Sequence, residues 1–253
     1  MPIVKRTIAT VTGLLTVLFA TVVTASTLLI WPIHPVIESD ESATALWVEN
    51  RGKQPVLTQL RLFSWRQQGG DDQYTPQNDV VVSPPMVEIP AGERQLMRLI
   101  RQMPAPAGEE RAWRLIIDEV PRLVPKDADS DTRSQAGIKL QMRYSLPLFD
   151  YGSGLSSEQG AVDMADDLSW QVIREYDRQY LQVHNAGKRH VRLTEVSLQQ
   201  GDRRQVVAES LLGYVLPGSY RRWPFDDSVS PGSTLFATVN GEAAQIPAKA
   251  SSF

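Results

Sequence analysis

Cysteine is absent from all 253 residues, which excludes disulfides, thiol nucleophiles and cysteine-ligated metals. Histidine is nearly as scarce, with only His34, His184 and His190 present. The last two flank an Asn-Ala-Gly-Lys turn rather than sharing a helical face, so the three read as surface or turn histidines and not as a metal site. Asp118 and Glu119 are adjacent, so in a strand they face opposite sides and cannot work as an acid–base pair. Gly69-Gly70 has no helix after it and reads as a turn, not a phosphate cradle. No Gly-x-Ser-x-Gly elbow occurs. Basic residues form no tract and the net charge is −3, so overall charge gives no reason to expect nucleic-acid or anionic-membrane binding. No long segment keeps a helical period, which argues against parallel α/β folds. An enzyme is not expected, and no cofactor or metal is implied.

What is present begins with an export signal. Lys5 and Arg6 precede an uncharged run extending past Trp31, and Val23-Thr24-Ala25 offers small residues for cleavage after Ala25. The competing reading is an uncleaved anchor, since the run exceeds the roughly 20 residues that span a bilayer. Residues 1–25 are expected to be removed and the remainder exported.

Short alternating or β-branched runs then follow one another, broken by turn residues. PIHPVIE, ATALWVEN, VLTQLRLFSWR, DVVVS, RQLMRLIR, RAWRLIIDEV and IKLQMRYSLPLF make about seven strands, the pattern of an immunoglobulin-like sandwich over 26–150. Residues 151–167 read as a linker, and a second, smaller sandwich is expected over 168–249. VHNAGKRHVRLTEVSL echoes WVENRGKQPVLTQLRLF, with Asn, Gly and Lys closing one strand before the next. The fold class is therefore all-β, with two related sandwiches. Trp47, Trp65, Trp113 and Trp170 occupy strand runs and are expected to fill cores.

Within IKLQMRYSLPLF, Ile138, Leu140, Met142, Tyr144 and Leu146 alternate with Lys139, Gln141, Arg143 and Ser145, so one face is oily and the other wet. The segment before it, VPKDADSDTRSQAG, offers almost nothing to pack. These two features gain meaning from a resemblance. VVSPPMVEIPAGERQLMRLIRQMPAPAGEERAWRLIIDEVP, with SPP, IPAG and DEVP in order, is similar to the periplasmic chaperones of chaperone–usher pili. LLGYVLPGSYRRWPF resembles the branch serving archaic, spore-coat-U-like fimbriae.

The resemblance implies a boomerang of two immunoglobulin-like domains, located in the periplasm, that binds pilus subunits and delivers them to an outer-membrane usher. It implies no stable membrane association after signal cleavage. It also implies that the last strand of the first domain donates its apolar side chains to an incomplete subunit. Ile138, Leu140 and Met142 match the donated positions, and Tyr144 continues their face. Classical members clamp the subunit's terminal carboxylate with an arginine and a lysine, where this sequence has His34 and Pro147. Arg114 is the expected substitute and Arg143 a weaker one. Pro147 cannot donate to a ladder, so the strand is expected to change pairing there. Ser83–Pro84 is a candidate cis bond, and Glu119, placed near the expected domain junction, is a candidate for fixing the interdomain angle. The alternative function is an exported adhesin-like or structural sandwich protein, which would avoid an exposed apolar edge.

Overall fold

The computed structural model describes residues 28–121, 141–157, 164–225 and 232–248. The signal segment lies outside the described residues. Strands make up every extended element, and no α-helix occurs among the described residues. The first half contains β1 (Leu28–Trp31), β2 (Val36–Ile37), β3 (Ala43–Asn50), β4 (Val56–Gln68), β5 (Asp71–Pro76), β6 (Val80–Ser83), β7 (Met86–Ile89), β8 (Arg94–Arg101), β9 (Glu110–Val120) and β10 (Arg143–Tyr151). β1, β3, β8 and β6 form one sheet; β2, β10, β9, β4 and β5 form the facing one, with β7 paired to β4. Alternation explains the layering. Leu46 and Val48 of β3, Met97 and Leu99 of β8, and Leu115 and Ile117 of β9 point inward and are fully buried.

More strands appear than periodicity indicates, for identifiable reasons. PIHPVIE contributes only the short β2, with β1 formed just before it from LLIW. The polar run after Gly69-Gly70 is β5, returning as a hairpin on β4. Both glycines have positive φ, as a tight turn requires. Ser83–Pro84 is cis, as is Trp31–Pro32.

The second half holds β11 (Leu168–Glu175), β12 (Arg178–Asn185), β13 (Val191–Gln200), β14 (Arg203–Val215), β15 (Tyr220–Pro224), β16 (Thr234–Val239) and β17 (Glu242–Ile246). β11, β12 and β15 face a sheet of β14, β13, β16 and β17 around a separate core that includes Trp170, Leu181, Val183 and Leu193. The sequence echo has a physical counterpart. Asn50 donates from Nδ2 to the carbonyls of Gln54 and Ile89 at 2.8 and 2.9 Å, and its Oδ1 accepts the Gly52 amide at 2.9 Å. Asn185 repeats the device on Arg189, Val215 and Gly187 at 2.7, 3.0 and 2.9 Å. Both asparagines are buried, so each satisfies a turn that would otherwise strand its backbone groups away from water.

A third apolar cluster joins the halves: Trp65, Ala112, Phe149, Tyr151 and Leu155 meet Tyr214 and Leu216. Glu110, fully buried, accepts from the His190 amide at 3.0 Å and lies 2.8 Å from His190 Nδ1. The His190 ring stacks flat on Phe149. At the hairpin tip the Gly70 carbonyl accepts from the Arg222 amide and the Arg221 guanidinium, both at 3.2 Å.

Candidate functional site

β10 carries the open feature of the fold. It pairs with β9 along its whole length, Arg143 opposite Asp118 through Tyr151 opposite Glu110. On its other side only Phe149 and Asp150 have a strand partner, β2. The ladder's phase follows from one bond: the Glu119 amide donates to the Met142 carbonyl at 3.2 Å. That makes Arg143–Asp118 a non-hydrogen-bonded pair, so Tyr144, Leu146 and Leu148 exchange bonds with β9. Arg143, Ser145, Pro147 and Phe149 therefore turn their main-chain groups the other way, as the bond from the Phe149 amide to the Pro35 carbonyl bears out. From Arg143 to Leu148 that outward row has no strand beside it among the described residues. The expected change of pairing at Pro147 needs correcting in one respect. The β9 ladder runs through Pro147 opposite Arg114, because the proline nitrogen faces the open side and costs that ladder nothing.

The open side borders a groove of about 540 Å3 lined by Leu28, Ile30, Ile33, His34, Arg114 and residues 143–147, with Leu211 and Tyr214 from the second half. The outer face of β9 aims Arg114 into this region. Its guanidinium carbon lies 3.8 Å from the centre of the Trp65 ring and 5.7 Å from that of Tyr74. Its Nε is buried and unpartnered, and among the described residues no carboxylate pairs with it. His34 Nδ1 lies 3.0 Å from Tyr214 Oη. Burial first, then the positive charges of Arg192 and His190, hold the His34 imidazole below its usual range. Burial likewise pushes the Tyr214 phenol up, opposed by Arg192 and Arg114. The floor is thus aromatic and apolar, with positive charge supplied by arginines rather than by histidine.

The sequence-named residues fall out as follows. Ile138 and Leu140 lie outside the described residues. Met142 precedes β10 and is 41% exposed. Tyr144 is half-buried against the first core, with Oη 3.4 Å from Glu119. Burial, then the Glu119 charge, raises its phenol above the usual range. Arg143 is already engaged: its Nε bonds Asp118, which Arg61 also contacts at 2.6 Å. Desolvation works to raise the Asp118 pKa, but the hydrogen bonds and charges of Arg143 and Arg61 together hold it below the usual carboxylate range. Pro147 and His34 both line the groove.

Other readings change. His34 and His190 do lie in the bends before β2 and β13, but neither is a free surface group: their rings pack on Tyr214 and Phe149 between the halves. Glu119 sits beside Tyr144 and Asp118 beside Arg143, at the end of β9 remote from the junction. The residues of β9 that reach the second half, Glu110 and Ala112, lie at the strand's other end. Trp113 and Trp170 fill cores as expected, while Trp65 belongs to the interdomain cluster. Trp47 lies half-exposed on the outer face, stacked on Trp31 and under Arg94. Nothing local in the sequence marks Leu211 and Tyr214 as groove residues, since a strand does not show which distant sheet it will face.

The amino-terminal half, residues 30–155, matches the family model of pili and flagellar-assembly chaperones, PapD N-terminal domain. Among solved structures, the chain is similar to one from the CsuC–CsuE chaperone–tip adhesion subunit pre-assembly complex of the archaic chaperone–usher Csu pili of Acinetobacter baumannii. The identity is 32% over 88% of this chain and all of that one, with a TM-score of 0.73. The YadV chaperone (18% identity, TM-score 0.61, covering 87% of this chain and 96% of that one) and the E. coli chaperone DraB (20%, 0.58, 88% and 98%) share the fold. No curated protein matches the chain. A two-sandwich fold with an open β10 edge, a family match over the half that carries that edge, and 32% identity along the full length of a Csu relative lead to one conclusion: the chain belongs to the PapD-like chaperones of pilus assembly.

Proposed function

We propose that the protein is a periplasmic, non-enzymatic chaperone that completes the fold of pilus subunits by donor-strand complementation and hands them to an outer-membrane usher. The observation that carries this reading is the unpaired β10 edge between Arg143 and Leu148, bordered by an apolar groove and continuing directly from the alternating segment Ile138–Met142. The subunit complex of the 32%-identical relative supports the same reading. Ile138, Leu140 and Met142 enter the subunit's open core, with Tyr144 continuing their face where donor strand passes into the chaperone's own core. Each buried apolar side chain stabilises the complex by about 1.5–3 kcal/mol, so three supply roughly 5–9 kcal/mol before ordering costs. Arg114, stacked and desolvated on Trp65, takes the subunit's terminal carboxylate. Arg143, committed to Asp118, does not. Residues 1–25 are the cleaved export signal, 26–150 the donor-bearing domain, 151–167 the linker and 168–249 the second domain. Release needs no cofactor: the next subunit's own strand displaces the donor.

Co-purification from a periplasmic extract, with the bound subunit identified by mass spectrometry, tests this. The wild type is expected to carry a subunit in a one-to-one complex, and a folded Leu140→Asp, Met142→Asp variant to lose it. Equal capture by both removes Ile138–Met142 from the donor role.

A further inference from the structure

Pro147 stands at a place in the ladder where its missing N–H faces the partner rather than the fold. The outward main-chain row of β10 offers an N–H and a carbonyl at Arg143 and at Ser145, but a carbonyl alone at Pro147. Beyond it the row is closed, since Phe149 and Asp150 pair with β2. Pro147 is also buried, so a guest carbonyl arriving opposite it would find no main-chain donor. Directly across the β9 ladder stands Arg114, and non-hydrogen-bonded pairs bring side chains closest. A missing donor thus lies beside a cation that no carboxylate among the described residues pairs with.

We infer that Pro147 is a register stop: it ends the guest ladder and makes the groove select a strand that terminates there in a free carboxylate over one that continues. A terminating chain needs no donor opposite Pro147 and presents its carboxylate to Arg114. A continuing chain keeps an amide carbonyl in that buried place and brings no charge to the arginine. The inference rests on the donor-strand reading above. It differs from a purely protective role, in which an edge proline only discourages self-association.

The test uses the subunit identified by co-purification, prepared with its native carboxyl terminus and with Gly-Ser-Gly appended. Affinities of both forms are measured for the wild-type chaperone and for Pro147→Ala and Pro147→Val, each of which restores the N–H; valine keeps more of the buried volume. The extension is expected to weaken wild-type binding by about tenfold or more, the scale of one unsatisfied buried carbonyl. In the variants that ratio is expected to fall to about threefold or less, while hydrogen exchange shows added protection at residue 147 in the extended complex. An unchanged ratio in both folded variants overturns the stop, as does indifference of the wild type to the extension. If the wild type binds neither form, or if Leu140→Asp, Met142→Asp binds as well as the wild type, the donor-strand reading itself fails and the stop with it.

Discussion

At the scale of single residues, charge placement decides the chemistry of the groove. Arg114 brings a guanidinium to the groove, whereas His34 is held toward neutrality by burial and by Arg192 and His190. Arg114→Ala is expected to weaken subunit binding at least tenfold with little change in melting temperature. Arg114→Lys should recover only part, because an ammonium can neither fork onto a carboxylate nor stack on Trp65 as a plane; titration calorimetry on purified subunit checks both. The sign of the His34 effect follows from its lowered folded value. The unfolded chain takes up its proton near the ordinary 6.5 while the folded chain resists. Stability from this group is therefore fully present above that pH and is lost as pH falls from there through the lowered folded value. Urea midpoints measured downward from pH 7 should fall, and His34→Gln should flatten the slope. Asp150 is a different case. It is fully buried between Arg101 at 2.8 Å and Arg111 at 2.6 Å, so Asp150→Ala leaves the buried Arg101 without a carboxylate and Arg111 with only Asp79 at 3.9 Å, and should cost about 3–5 kcal/mol in denaturant unfolding.

At the scale of elements, β10 is two strands in one. Its inward residues Leu146 and Leu148 complete the chaperone's own core, while from Arg143 to Pro147 its outward main chain has no strand partner among the described residues. The ion cluster of Arg61, Asp118 and Arg143 fastens its beginning and the Asp150 cluster its end. The β4–β5 hairpin is a second working element, since its tip hydrogen-bonds β15. A Cβ at Gly70 would sit 2.7 Å from the Arg222 side chain, and its φ of +90° is unsuited to any L side chain. Gly70→Val is expected to cost about 1–3 kcal/mol and to expose the hairpin to limited proteolysis.

At the scale of the whole molecule, the two halves are locked by Glu110 on His190, by the stack on Phe149 and by the hairpin. Glu110→Ala strands the His190 amide and ring nitrogen in a nearly buried place. The expected outcome is that a joint calorimetric transition separates into two, one for each core. The same change should also disturb the groove, because Leu211 and Tyr214 reach it only while the halves stay docked.

Much of this was legible in the sequence. Alternation placed most strands, the Asn-x-Gly-Lys echo marked two sandwiches of one plan, and IKLQMRYSLPLF marked a last strand, which runs from Arg143 and is buried on both faces from Leu146 on. Those signals are local, set by side-chain periodicity and turn chemistry within a few residues. Short polar pieces such as β5 escaped, because their pairing comes from a hairpin rather than from apolar faces. Where His34 and His190 would sit, which end of β9 meets the second half, and that Trp65 cradles Arg114 could not be read. Each depends on which faces the two sandwiches press together. Pro147 joins both levels: sequence alone fixed that it lacks an N–H, and only the pairing of β10 with β9 decided that the gap faces outward, into the groove.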